Sequence, residues 1–94
     1  MKMVSYWKEP REIYEDNGLV LIIGIYDHKN QGKDEFKALG VHWKDYPQSN
    51  NTLCPCVIPE ETRNAILSGL LHQAVVNQDL DKIQSITEAI RYFR

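Results

Sequence analysis

The alternation of apolar and polar positions divides this chain into a strand-forming first half and a helix-forming second half. LVLIIGIY, residues 19–26, is an unbroken apolar run rich in isoleucine. Eight such residues suit a strand buried on both faces or nearly so. REIYED before it alternates polar and apolar, and the two segments meet at Asn17-Gly18, a pair that supplies the positive φ angles of a tight hairpin turn. The pattern therefore predicts an outer strand over 11–15, with Pro10 as its earliest start, paired with a central strand over 19–26. A polar loop around Gly32 follows. FKALGVHWKDY carries two periodicities: Phe36 and Leu39 are three apart, as on a helix, whereas Leu39, Val41 and Trp43 alternate as in a strand. The alternation is the longer signal and predicts a strand over 37–44, antiparallel to the central one. YPQSNN has turn chemistry, and a last strand is expected over 53–58.

Beyond Pro59 the period changes. Pro59 suits a helix start, and Glu60 and Glu61 complement the positive end of the helix dipole. Ile66, Leu67, Leu70, Leu71, Ala74 and Val75 form one apolar stripe at helical spacing over 59–76. Asp79 is placed to cap a second helix over 79–93, whose stripe is Leu80, Ile83, Ile86, Ile90 and Phe93. Two helices joined by two or three residues make an antiparallel hairpin. The predicted class is α+β: an antiparallel sheet of three to four strands with a C-terminal helical hairpin on one face.

Length and charge narrow the function classes. Ninety-four residues form one domain with a single core. The net charge is -2, and neither half is basic: residues 1–46 hold seven Lys or Arg against eight Asp or Glu, and the rest four against five. Phosphate binding depends on uncancelled cations, so this balance disfavours a nucleic-acid partner. The opening MKMVSYWKEPRE lacks the apolar run of a secretion signal, and the eight-residue apolar run is far below the roughly 20 residues of a membrane-spanning helix. A cytoplasmic protein with no membrane association is expected, in which cysteines stay reduced or bind metal.

Cys54 and Cys56 flank Pro55, which holds the segment extended. Residues two apart in a strand share a face with Cα atoms about 7 Å apart, at the limit for a disulfide. Two thiolates on one face, with His28 and His42 added, would complete a zinc site, although the spacing matches no common zinc pattern. The competing reading makes both cysteines small core residues facing the helices beside Ile58. Neither a nucleophile elbow, a phosphate-binding glycine loop nor a zinc-protease motif is present, so no enzyme and no cofactor are implied.

The aromatic residues carry the remaining signal. Tyr6, Trp7, Tyr26, Trp43 and Tyr46 all lie in the strand half, and a sheet with helices on one face leaves the other open for rings that anchor a partner. Pro55 lacks a backbone donor and so marks the last strand as a sheet edge, where a second chain can add. The leading expectation is a non-enzymatic interaction protein, an accessory factor, regulator or inhibitor, that binds another protein or a second copy of itself through those five aromatics. A nucleic-acid-binding module using an open aromatic face is the alternative, followed by a small zinc protein.

Overall fold

The structure is a computed structural model that describes residues 5–94. Within them β1 (Trp7–Asp16), β2 (Leu19–Tyr26), β3 (Phe36–Trp43) and β6 (Cys56–Ile58) form an antiparallel sheet in the order β1-β2-β3-β6. A two-stranded ribbon of β4 (Gln48–Ser49) and β5 (Thr52–Leu53) lies between β3 and β6 in sequence. Helices α1 (Glu60–Val76) and α2 (Leu80–Tyr92) then pack as an antiparallel pair on one face of the sheet. The class is α+β.

The hairpin between β1 and β2 turns at Asn17 (φ 50°) and Gly18 (φ 92°), and Asp16 pairs with Leu19. β1 is longer than the pattern predicts, because Pro10 lies inside it rather than at its start. The register slips between Lys8 and Arg11, with Glu9 at φ 50°. Proline is tolerated there because β1 is an edge strand and the slip removes the need for its missing donor. β3 is a strand, as the alternation predicts, and pairs with β2 over its whole length, from Leu19 opposite Trp43 to Tyr26 opposite Phe36.

The expected strand over 53–58 is broken in two. Cys54 and Pro55 lie outside any strand, and only Cys56–Ile58 joins the sheet, at the edge beside β3. Pro55 interrupts the ladder as its missing N–H requires. Asp79 caps α2 by accepting a hydrogen bond from the Lys82 N–H at 3.2 Å. Ile13, Leu21, Ile23, Leu39, Leu67, Ala74, Ile86 and Ala89 make the core between sheet and helices.

Two residues of the apolar stripes are left uncovered. Val75 and Leu80, assigned by periodicity to the stripes that face the sheet, are exposed at 55% and 76%, where α1 ends and α2 begins.

Candidate functional site

The face of the sheet opposite the helices is not open. Val20, Ile22 and Ala38 on that face are buried, and so is Trp7, at 7% exposure, which packs with them. The indole fits because two glycines lie beneath it: a methyl group added at Gly40 would stand 2.6 Å from Trp7 Cζ2, and one at Gly24 3.4 Å from Trp7 Cε3. Leu53 and Pro55 are buried too, and Leu53 accepts a hydrogen bond from the Ser5 N–H at 2.8 Å. Trp7 is therefore core, which corrects its assignment as a partner-binding residue. A nucleic-acid platform across the open sheet loses its geometry with it.

Tyr6 and Tyr26 surround this ring. Tyr26 lies edge-on to Trp7 (centroids 5.5 Å apart) and to Tyr6 (6.5 Å), and also touches Phe36 (5.9 Å). Its hydroxyl shares a 2.8 Å hydrogen bond with His28 Nδ1. Burial, with Tyr6 and Cys54 nearby, pushes the Tyr26 phenol above its usual pKa. Beneath the cluster, the carboxylate of buried Asp27 accepts the Gly32 N–H at 2.9 and 3.1 Å and pairs with Lys8 Nζ at 3.3 Å. Lys8 in turn donates to Glu35 at 2.7 Å, and these bonds hold its ammonium above the usual lysine range. The Asp27 carboxylate thus closes the 27–32 loop and holds Lys8 of β1 against it. This end of the sheet reads as structural.

The cysteine and histidine side chains do not converge. Cys54 is half-buried and its thiol donates to the Thr52 carbonyl at 3.4 Å, whereas Cys56 is exposed; both are free thiols. His42 is buried on the face away from the helices and bonds the Lys44 carbonyl through Nδ1 at 3.0 Å, which places the ring proton there. No group of three or more His, Cys, Asp or Glu among the described residues is arranged to hold a metal ion. The set His28, His42, Cys54 and Cys56 is not assembled as a zinc site. The reading of both cysteines as core residues also needs correction: with β6 only three residues long and α1 not covering it, Cys56 reaches solvent.

What remains is the other end of the molecule. Trp43 (50% exposed) and Tyr46 (69%) bracket the turn that leaves β3, each donating its backbone N–H to the other's carbonyl at 2.7 and 2.8 Å. Lys44 ties this turn to the first hairpin through a 3.0 Å bond to the Gly18 carbonyl. The joint between the helices lies at the same end, since Lys82 sits 5.0 Å over the Tyr14 ring and Ala74 packs in the core with Ile13 and Leu21. Val75, Val76 and Leu80 are exposed on that joint. Five of the six large hydrophobic side chains exposed among the described residues are therefore gathered at one end; Phe36 is the sixth.

No known protein family, curated protein or solved structure matches this chain. Of the five aromatics expected to bind a partner, the fold spends Trp7 on its core, places Tyr6 and Tyr26 half-buried around it, and leaves Trp43 and Tyr46 exposed. Val76 carried no signal of its own, and Val75 and Leu80 resembled ordinary stripe residues.

A groove of about 360 Å³ between the helices, lined in part by Arg63, Leu67, Ile90 and Phe93, offers little chemistry. The Arg63 guanidinium lies 4.0 Å from the Phe93 ring centroid at the end of α2 and 3.8 Å from the Glu60 carboxylate of its own helix, while its buried Nε has no hydrogen-bond partner. No helix among the described residues is long and apolar enough to cross a membrane.

Proposed function

We propose that this chain is a non-enzymatic interaction protein of the cytoplasm, an accessory factor, regulator or inhibitor. It binds another protein through the end that carries Trp43, Tyr46, Val75, Val76 and Leu80. The observation that supports the reading is the concentration of exposed large apolar side chains at that one end. Scattered exposed hydrophobics need no explanation, but a group of them that includes tryptophan and tyrosine is the composition of an interface anchor. The turn and the helix joint that present them are tied to the core by backbone hydrogen bonds and by the Asp79 cap, so little order is lost on binding.

A photo-crosslinking amino acid at position 46 tests this in cells that express the chain naturally. A discrete adduct that disappears when Trp43→Asp is added, and that is absent with the crosslinker at exposed Lys33, is the expected result. Equal labelling from positions 33 and 46 would remove the proposal.

A further inference from the structure

The chemistry of the partner can be read from the charges around this end. Glu15 and Asp16 close β1, Asp45 sits between Trp43 and Tyr46, and Asp79 and Asp81 flank Leu80. Against these five carboxylates stand two lysines, Lys44 and Lys82. The end is thus at -3, whereas the whole chain, with thirteen Asp or Glu and eleven Lys or Arg, is at -2. The other described residues, eight acidic against eight basic, cancel. All the net negative charge of the described residues is therefore collected at this end.

Resting on the interaction reading above, we propose that the surface that docks here is a basic one. It is a lysine- or arginine-rich face of another protein, with apolar side chains at its centre to meet Trp43 and Leu80. The apolar contact supplies an anchor, and the surrounding carboxylates select the sign of the partner and speed its approach. The same distribution argues against a second copy at this end, because an isologous contact would set -3 against -3 around a shared apolar centre. The Debye length is about 8 Å at physiological salt, so selection by these charges operates at contact range and weakens as salt rises.

Two synthetic amphipathic helical peptides with the same leucine stripe and no aromatic residue, one with lysine and one with glutamate on the polar face, serve as probes. Trp43 is the reporter: it is half-exposed, whereas Trp7 is buried, so docking shifts the emission of Trp43 to the blue. The lysine peptide is expected to bind at least about tenfold more tightly than the glutamate peptide at low salt. That preference is expected to shrink by about tenfold in 0.5 M salt and in the triple variant Asp16→Asn, Asp45→Asn, Asp81→Asn, whose fold is checked by circular dichroism. Equal binding of both peptides, abolished in both by Leu80→Gln with Trp43 kept as reporter, would overturn the basic partner while keeping the docking end. No response of Trp43 to either peptide would overturn the inference outright. A concentration-dependent dimer in sedimentation, broken by Trp43→Ala, would do the same by giving the end to a second copy.

Discussion

Gly40→Ala tests the packing that closes the second face of the sheet. The added methyl would lie 2.6 Å from Trp7 Cζ2, 2.7 Å from Cη2 and 3.1 Å from Ile22 Cγ1. Carbon atoms in contact prefer about 3.5–4.0 Å, so the indole must retreat by roughly 1 Å. A gap of that size forfeits about a quarter to a half of the packing energy of the displaced group. Removing a buried tryptophan altogether costs about 3–5 kcal/mol, which puts the retreat at roughly 1–2.5 kcal/mol. Alanine returns about 0.5–1 kcal/mol by relieving the entropic cost of glycine inside a strand. The expected net loss is about 0–2 kcal/mol, read as a drop of up to roughly 1 M in the urea midpoint followed by far-ultraviolet circular dichroism.

The second half of this test is the double-mutant cycle with Trp7→Ala. With the ring gone the nearest atom left is Ile22 Cγ1 at 3.1 Å, so Gly40→Ala should become neutral or stabilising by about 0.5 kcal/mol, a coupling of roughly 1–2.5 kcal/mol. If Gly40→Ala had the same effect in both backgrounds, Trp7 would not be the group that requires glycine at position 40.

Three further outcomes are expected. Asp27→Ala should cost about 1.5–3 kcal/mol, as loss of hydrogen bonds to a charged acceptor does, and should speed amide exchange at Gly32, whose N–H the carboxylate holds; unchanged exchange there would contradict the loop-closing role. Tyr26 and Tyr92 both ionise above the ordinary 10.0, in each case chiefly because they are buried. The unfolded chain then loses these protons first, so this contribution to stability is fully present below about pH 10 and is lost as pH rises through the folded values. An absorbance titration at 295 nm in which the two ionise together with exposed Tyr46 would count against it. A thiol-reactive dye should label Cys56 rapidly and Cys54 slowly, since the first is exposed and the second half-buried and hydrogen-bonded. Cys56→Ser should change stability by less than about 0.5 kcal/mol, as exposed substitutions do.

Much of the fold was legible because its signals are local. Asn17-Gly18 dictates a tight turn wherever it stands between two apolar segments, and the eight apolar residues after it have no stable place except inside a sheet. The cap at Asp79 and the period change after Pro59 likewise act within a turn or two of the chain. The site was less legible. Trp7 and Trp43 are the same residue type, each next to a lysine, and nothing in their neighbourhoods separates core from surface. Trp7 is buried because two glycines on neighbouring strands, 17 and 33 positions away in sequence, leave a slot that an indole fills.

Sequence periodicity by itself determined which segments become strands and helices, the antiparallel hairpin, and the α+β class, because these depend on interactions between residues that are near one another along the chain. It also marked the strand at Pro55 as a sheet edge, though not that Pro55 would break that strand, nor that the cysteines beside it would part, one half-buried and one exposed. The tertiary structure alone decided which apolar side chains are left uncovered. That outcome depends on where the joint between α1 and α2 falls relative to the end of the sheet at Trp43, more than thirty residues earlier in the chain. Trp43, Tyr46 and Leu80 became a surface, and acquired their acidic surroundings, only when the two hairpin turns and the helix joint came to the same end.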